Sequence, residues 1–192
     1  MEQLLKRIDN LITKTKANFI STETLYEGKF IKLISEKYSL PNNKILYREK
    51  IEKNNNKESV ILISITEDNK FILVVQNRIN QLVSVEFPSG YIEENEAIEV
   101  AAKRELKEET GYISNDITIL GSYRTQLGID SSLVNIALAR NCIKTSDQSL
   151  SENEYINYDE FTFEELSTLI DKNIIFGCGN RLAFYEFINK RI

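Results

Sequence analysis

The amino-acid sequence contains no histidine and no tryptophan, and only two cysteines among 192 residues. Without histidine, histidine triads and histidine-ligated zinc are excluded, so any general base has to be a carboxylate. Any side chain that stacks on an aromatic ligand has to be Tyr, Phe or Arg. Cys142 and Cys178 are far apart in the sequence and too few for a disulfide framework, which predicts buried thiols in a reducing cytoplasm.

Long apolar runs and basic clusters are also missing. No apolar run approaches the roughly 20 residues that span a membrane, and the N-terminus lacks the apolar core of a signal peptide. The net charge is −5, and lysine and arginine are scattered singly, so no basic face is available to neutralise the phosphates of a nucleic acid. We therefore expect a cytoplasmic protein with neither a membrane nor a nucleic acid as its partner.

Residues 90–112 contain a cluster of glutamates that helix stability alone does not explain. Projected at about 100° per residue, residues 96–110 form a helix with one apolar side. That side consists of Ile98, Ala101, Ala102 and Leu106. Glu105 and Glu109 fall within the arc of this apolar side, and Glu108 flanks it. The pattern therefore predicts that these carboxylates face the protein body.

Two carboxylates four residues apart repel each other, and turning them inward adds a cost of desolvation unless a partner is present. A divalent cation suits hard carboxylate oxygens, and Mg²⁺ or Mn²⁺ also takes ligands from water and from substrate phosphates. Gly90 before the helix and Gly111 after it fit a loop and a helix C-cap. The segment therefore predicts a loop, a helix and a cap around a metal site.

The spacing of these residues resembles that of a known family. The string of Gly90, Glu96, Arg104-Glu105-Leu106, Glu108-Glu109 and Gly111 is similar to the Nudix box of the Nudix hydrolases. Every fixed position of the box matches, and the one departure is Tyr112, where an aliphatic residue is usual. The resemblance implies hydrolysis of a diphosphate, which needs a metal to hold the phosphates, a nucleophilic water and a base.

The pattern along the chain predicts three parts. Residues 1–17 form an amphipathic helix, which we expect to cover its own domain, with a contact between two chains as the alternative. Residues 18–56 predict a small antiparallel β meander, and residues 57–192 the main domain. In the main domain, strands precede and follow the glutamate helix and helices close the chain, which predicts an α/β/α sandwich on a mixed sheet.

With the box, this order of elements resembles the Nudix fold, and the meander resembles the N-terminal sheet of the ADP-ribose pyrophosphatase branch. Within the main domain, residues 83–89 are a segment that leads into Gly90, and residues 154–158 are predicted as a short strand. Small sheets are marginal on their own, and the ADP-ribose branch pairs its meander between two chains. A homodimer is therefore expected.

The resemblance also implies roles for the residues of the box. Glu105 and Glu109 correspond to metal carboxylates, and Glu108 to a further ligand or a hydrogen-bond partner within the catalytic group. The carbonyl of Ser89, just before the box, corresponds to another metal ligand. Arg104 is expected to form an internal ion pair with Glu96 that holds the loop on the helix and keeps the catalytic group in place.

The candidate substrate-binding residues lie outside the box. Arg78 stands where ADP-ribose pyrophosphatases carry an Arg-Pro motif whose arginine contacts substrate phosphate, although Ile79 replaces the proline. The forked guanidinium suits that role. Arg48 and Glu49 resemble the Arg-Glu pair that lies near the nucleobase in this branch.

A later loop departs from the same branch. It usually reads Ser-Pro-Gly-x-Ser-Asp-Glu there, and residues 126–132 of this chain read Gln-Leu-Gly-Ile-Asp-Ser-Ser. Gly128 is kept as a candidate substrate-binding residue, and we expect it to supply the backbone freedom that a loop at a site needs. Leu127 and Ser132 replace the proline and the glutamate. The loop helps to shape the substrate pocket, so the reaction is expected while the substrate is left open.

Glu154 is the candidate general base. The ADP-ribose branch carries a glutamate in an acidic loop just before a late strand, and residues 151–156, Ser-Glu-Asn-Glu-Tyr-Ile, match that arrangement. The alternative is that Glu152 and Glu154 are both solvated loop acids, which a polar loop predicts about as well.

The sequence thus predicts an Mg²⁺-dependent hydrolase, with Mn²⁺ possible as the metal. It would cleave a nucleoside diphosphate linked to another moiety, such as ADP-ribose or a nucleotide sugar, into a nucleoside monophosphate and a phosphorylated product. The alternative is a catalytically silent module that keeps the fold and senses a nucleotide. The intact set of Glu105, Glu108 and Glu109 favours the enzyme.

Overall fold

The computed structural model describes residues 1–53, 57–78, 82–130 and 132–190. The chain divides into two compact units. The first, here called the N-terminal unit, comprises Met1–Asn56 and Gln126–Ser132, and the second, the main unit, comprises Lys57–Thr125 and Leu133–Ile192. The segment Gln126–Ser132 lies within the range predicted for the main domain, but it groups with the N-terminal unit, where the backbone N–H of Ile51 donates to the carbonyl of Ile129 at 2.7 Å.

The N-terminal unit consists of one helix and one sheet. Helix α1 spans Glu2–Thr15, and strands β1 (Asn18–Glu27), β2 (Ile31–Ser39) and β3 (Ile45–Lys53) follow. The strands pair antiparallel in the order β1-β2-β3, which is the meander that the alternating pattern predicts.

The apolar stripe of α1 is exposed and is not buried by the other described residues. Its five side chains are between 45% and 60% exposed, and they are Leu4, Leu5, Ile8, Leu11 and Ile12. No residue of α1 is buried, and every residue of β1 is exposed. The expectation that this helix covers its own domain is therefore wrong, because none of the described residues buries its apolar side.

The main unit contains a mixed sheet with helices on its two faces. Its strands are β4 (Ser59–Thr66), β5 (Phe71–Asn77), β6 (Val83–Glu86), β7 (Ser89–Tyr91), β8 (Tyr112–Ile113), β9 (Asp116–Tyr123), β10 (Val134–Lys144) and β11 (Ile156–Phe161). Its helices are α2 (Ile98–Thr110), α3 (Phe163–Asp171) and α4 (Cys178–Lys190). The sheet runs β11-β5-β4-β10-β8, with β6 on β5, β7 on β4 and β9 on β10.

Strand β4 explains why the sheet is covered on both faces. Seven of its eight residues are apolar or small, and successive side chains point to opposite faces. Val60 and Leu62 pack in the core under α2, whereas Ile61 and Ile63 pack in the core under α3 and α4. The pairing of β4 with β10 is parallel and its pairing with β5 is antiparallel, so the predicted α/β/α sandwich on a mixed sheet is confirmed.

The segment over residues 83–89 that leads into Gly90 contains strand β6 and the first residue of β7. β6 pairs with β5, and after Phe87 and Pro88 the chain crosses to β4, where β7 begins. Two contacts hold the crossing: the backbone N–H of Phe87 donates to the side-chain oxygen of Asn180 at 2.7 Å, and that of Leu62 donates to the carbonyl of Pro88 at 2.8 Å. The crossing places Ser89 and Gly90 on the strand that faces α2.

Among the described residues, no helix is both long enough and apolar enough to cross a membrane. Both cysteines are free thiols. Cys142 is buried in the core under α2, as expected, but Cys178 is exposed because it lies at the first residue of α4. The expectation that both thiols are buried is therefore wrong for Cys178.

Candidate active site

Helix α2 turns its glutamates inward, as the helical projection predicts. Glu105 is 9% exposed and Glu109 4% exposed, and both lie on the same side as the buried Ala102 and Leu106. Glu108 is half-buried at the edge of this side. Glu96 precedes the helix, which begins at Ile98.

Strand β7 runs directly along the two buried carboxylates. The backbone N–H of Ser89 donates to Oε2 of Glu109 at 2.9 Å. A Cβ atom at position 90 would overlap the carboxyl group of Glu105, so only glycine allows this approach. The glycine that opens the box is therefore required by packing, and it brings Ser89, a predicted metal ligand, beside Glu105 and Glu109.

Arg104 connects the acidic residues to one another. Its Nε and Nη2 donate to the two carboxylate oxygens of Glu96, each at 2.9 Å, so the predicted ion pair is present and bidentate. Its Nη1 donates to Glu105 at 2.6 Å and to Glu108 at 3.1 Å, and its Nη2 also donates to the carbonyl of Tyr91 at 2.8 Å. Arg104 thus holds the loop before α2 and two glutamates of α2 with one guanidinium.

The electrostatics of the site favour a cation. Burial raises the pKa of Glu109 to about 8, and the charges of Glu105 and Glu154 add to this rise, while the hydrogen bond from Ser89 and the charge of Arg78 oppose it. Burial also raises the pKa of Glu105, against the hydrogen bond from Arg104. The positive charge present is therefore too little to stabilise both carboxylates in their ionised form.

These residues fit a divalent metal that completes its shell from other sources. The Nudix hydrolases, whose box these residues resemble, in general use such a metal. Among the described residues, no three Asp, Glu or Cys side chains are arranged to hold a metal by themselves. Glu105 and Glu109 would supply two carboxylates and Ser89 a backbone oxygen, leaving the remaining positions to water and substrate phosphate, as Mg²⁺ prefers. Glu108 accepts a hydrogen bond from Arg104, which is one of the two roles expected for it.

Arg78 has a partner that the sequence pattern does not reveal. Its Nε donates to Oε1 of Glu86 at 2.8 Å, and its Nη2 is paired with Oε2 of the same residue. Glu86 is 8% exposed and also accepts a hydrogen bond from the hydroxyl of Ser84. The hydrogen bonds to Glu86 raise the pKa of Arg78, and the charge of Glu109 adds to the rise, so the guanidinium lies near the carboxylates of α2. The one feature of the sequence that indicates a role for Glu86 is its position as an acidic residue inside the apolar segment Val-Ser-Val-Glu-Phe.

Glu154 lies in a turn near the same carboxylates. Its Oε2 accepts a hydrogen bond from the backbone N–H of Ser151 at 2.9 Å, and its own N–H donates to the carbonyl of Ser151 at 3.0 Å. Its charge raises the pKa of both Glu105 and Glu109. The side chain is thus exposed, acidic and close to the site, which a general base requires.

The three remaining candidates belong to the N-terminal unit. Arg48 and Glu49 are exposed residues of β3. Gly128 lies in the segment Gln126–Ser132, where a Cβ atom would have no neighbour within 4 Å and the backbone does not adopt a left-handed conformation. The expectation that this position needs the freedom of glycine is therefore wrong, because neither packing nor backbone angle demands it. The predicted substrate contacts of these residues remain predictions.

Tyr112, the departure from the box, has a structural explanation. Its ring is buried in the core under α2, and its hydroxyl donates to Oε1 of Glu160 on β11. The ring also meets Tyr158 edge-on, with 6.0 Å between the centroids. The tyrosine therefore fills the place of an aliphatic residue and adds a bond to the neighbouring strand.

Comparison with known proteins identifies the class that this fold and site define. Residues 55–175 match the family model of the NUDIX domain. The chain belongs to the Nudix hydrolase family, as the box predicts.

The relatives include proteins with different names. The chain is 31% identical over 166 residues to the ADP-ribose pyrophosphatase of Bacillus subtilis, covering 85% of this chain and 88% of the relative. It is 32% identical, with the same coverage, to the methanol dehydrogenase activator of Bacillus methanolicus. A crystal structure of an ADP compounds hydrolase shares the fold, with a TM-score of 0.81, 23% identity and coverage of 91% of this chain and 93% of that chain.

The raised pKa of Glu109 predicts how stability depends on pH. The folded protein binds a proton at Glu109 more tightly than the unfolded chain does. The stability that this proton contributes is therefore complete below about pH 4.5 and is lost as pH rises through about 8. In a chelator, we expect the free energy of unfolding in urea to fall by a few kcal/mol between pH 5 and 8. Glu109→Gln should flatten this fall, and Glu99→Gln, an exposed residue of the same helix, should keep it. Equal slopes for the wild type and Glu109→Gln would contradict the assignment.

Proposed function

We propose that the chain hydrolyses the diphosphate of an ADP-sugar type compound, with Mg²⁺ as its metal and Mn²⁺ as a substitute. ADP-ribose is the first substrate to test, and its products would be AMP and ribose 5-phosphate. The observation that carries the proposal is the pair of buried carboxylates, Glu105 and Glu109, held against Ser89 and Gly90. The name of the Bacillus subtilis relative, an ADP-ribose pyrophosphatase, supports the choice of substrate.

The residues of the main unit have separate roles in the proposed reaction. Glu105, Glu109 and the carbonyl of Ser89 would hold the metal, which neutralises the diphosphate and lowers the pKa of a bound water. Arg104 fixes Glu105 and Glu108, so that these carboxylates keep one orientation during turnover. The reaction consumes one water: a P–O bond forms, the bridging P–O bond breaks, and two phosphate monoesters result.

Arg78 and Glu154 act on the substrate and the water. Arg78 would exchange part of its pairing with Glu86 for a substrate phosphate, and its side chain, 45% exposed, is accessible for that contact. Glu154 would accept the proton of the attacking water, because it is an exposed carboxylate whose charge acts on both Glu105 and Glu109. Arg48, Glu49 and Gly128 would contribute to the binding of the nucleoside.

A second copy of the chain is the proposed partner. In the N-terminal unit, the apolar stripe of α1 and the apolar side chains Phe19, Ile20 and Leu25 of β1 are exposed among the described residues. Burying such a surface against another copy would stabilise a small three-stranded sheet that is marginal alone. A homodimer accounts for both features.

The alternative is a nucleotide-sensing module without turnover. One relative is named as an activator of another enzyme, and that name supports this alternative. The intact carboxylates Glu105, Glu108 and Glu109 and the fixed Arg104 favour catalysis, since a sensor needs no such set.

Hydrolysis is tested with a panel of ADP-ribose, an ADP-sugar and a UDP-sugar in the presence of Mg²⁺. We expect AMP from ADP-ribose, and a loss of at least about a hundredfold in kcat for Glu109→Gln, because a metal carboxylate is removed. Glu99→Gln is the matched control on the exposed side of α2. The proposal would be contradicted if no member of the panel were hydrolysed.

The general base is tested with Glu154→Gln beside Glu152→Gln, a neighbouring acid of the same loop. Loss of the base should lower kcat of Glu154→Gln by about 10² to 10⁴ while KM changes little. Glu152→Gln should behave as the wild type. Full activity of Glu154→Gln would show that another acid accepts the proton of the attacking water.

The dimer is tested by light scattering. We expect the mass of two chains for the wild type and a shift towards one chain for Ile8→Asp, since a charge in the apolar stripe of α1 opposes its burial. Arg7→Asp changes charge beside the stripe and should stay dimeric. A wild-type mass of one chain would exclude this partner.

A further inference from the structure

The C-terminal end of the metal-binding helix is held by one later segment of the chain, residues 144–149. The last carbonyls of a helix lack partners within the helix and need them from elsewhere. Here every carbonyl from Glu108 to Gly111 has one. The donors are the backbone N–H of Ser149 to Glu108 at 2.9 Å, Gln148 Nε2 to Glu109 at 2.6 Å, Lys144 Nζ to Thr110 at 2.6 Å, and the backbone N–H groups of Thr145 and Ser146 to Gly111 at 3.0 and 3.2 Å.

Gln148 is the donor that reaches the first residue of β11, whereas Lys144 reaches β11 further along, at the hydroxyl of Tyr158. Its Nε2 donates to the carbonyl of Glu109 and also, at 3.0 Å, to the carbonyl of Ile156. A side-chain amide nitrogen carries two protons, so this one group can satisfy both carbonyls. Ile156 is the first residue of β11 and is buried. Gln148 therefore ties the last turn of α2 to the start of β11.

Both tied positions belong to the candidate site. Glu109 carries one of the two metal carboxylates, and its backbone position decides where that carboxylate lies against Ser89. Ile156 follows Glu154 by two residues, so it anchors the end of the turn that carries the candidate base. The carboxylate of Glu154 is close enough to Glu109 to raise its pKa.

We propose that Gln148 is a positioning residue that sets the spacing between the metal carboxylate of Glu109 and the turn of Glu154, a role that rests on the proposed function. Hydrogen-bond partners that orient metal ligands typically contribute 10- to 100-fold to metal affinity. Lys144 is the natural contrast. It caps the next carbonyl, that of Thr110, and its ammonium lies over the rings of Tyr112 and Tyr158 and donates to the hydroxyl of Tyr158, so it reaches β11 at its third residue and not at Ile156, which follows the turn of Glu154.

The test compares Gln148→Met with Lys144→Met, because each substitution removes one donor from the same helix turn. Mn²⁺ is titrated into each protein without substrate, and free Mn²⁺ is measured by electron paramagnetic resonance. We expect Gln148→Met to weaken Mn²⁺ binding by about tenfold, and Lys144→Met to stay within about twofold of the wild type. Both variants should lose thermal stability, which a purely structural role would also predict.

Activity supplies the second readout. With ADP-ribose, kcat of Gln148→Met should fall by about tenfold or more while KM changes by less than about twofold, because substrate contacts are retained and the catalytic groups are displaced. Gln148→Asn, whose amide is one methylene shorter, serves if Gln148→Met does not fold. It cannot reach both carbonyls, so the same loss of Mn²⁺ affinity is expected.

The outcomes separate this inference from the proposed function. Wild-type affinity for Mn²⁺ in folded Gln148→Met or Gln148→Asn overturns the inference, as does a wild-type protein that binds no Mn²⁺. A selective loss of Mn²⁺ affinity at position 148 supports it, even if the wild type hydrolyses none of the substrates. In that case the positioning role stands and the proposed hydrolysis of ADP-sugar type compounds is the part that fails.

Discussion

The site depends on one electrostatic constraint: two carboxylates of helix α2, four residues apart, are buried side by side. Burial raises the pKa of each, and the charge of Glu105 raises the pKa of Glu109 further, so both carboxylates ionise together only with positive charge nearby. The neighbouring residues are adapted to this constraint. Gly90 leaves room for Glu105, Ser89 donates to Glu109, and Arg104 compensates part of the charge of Glu105. A divalent cation would supply the rest.

Much of this site could be predicted from the sequence because its parts are local. Glu105 and Glu109 lie on one helix face by their spacing alone, and the ion pair of Arg104 with Glu96 is implied by the resemblance to the Nudix box. The order of strands and helices likewise predicts the sandwich, since apolar strands around an amphipathic helix have few ways to bury their faces.

The features that the sequence did not reveal depend on the pairing of strands and on contacts between distant segments. Glu86 binds Arg78 across paired strands, and Asn180 holds Phe87 from a helix more than ninety residues later. That second contact lies where the chain crosses from β6 to β7. The exposed stripe of α1 could not be predicted either, because an amphipathic pattern states that a face is to be buried and not against which surface.

The central claim is that Ser89, Glu105 and Glu109 form a metal site, and a crystal structure with Mn²⁺ and the α,β-methylene analogue of ADP-ribose tests it most directly. Anomalous scattering locates the metal independently of any assumption about the reaction. The account predicts a Mn²⁺ peak bonded to the carbonyl oxygen of Ser89 and to carboxylate oxygens of Glu105 and Glu109, with the remaining ligands from water and the analogue. A peak bonded to other residues, or none while the analogue is bound, would contradict it.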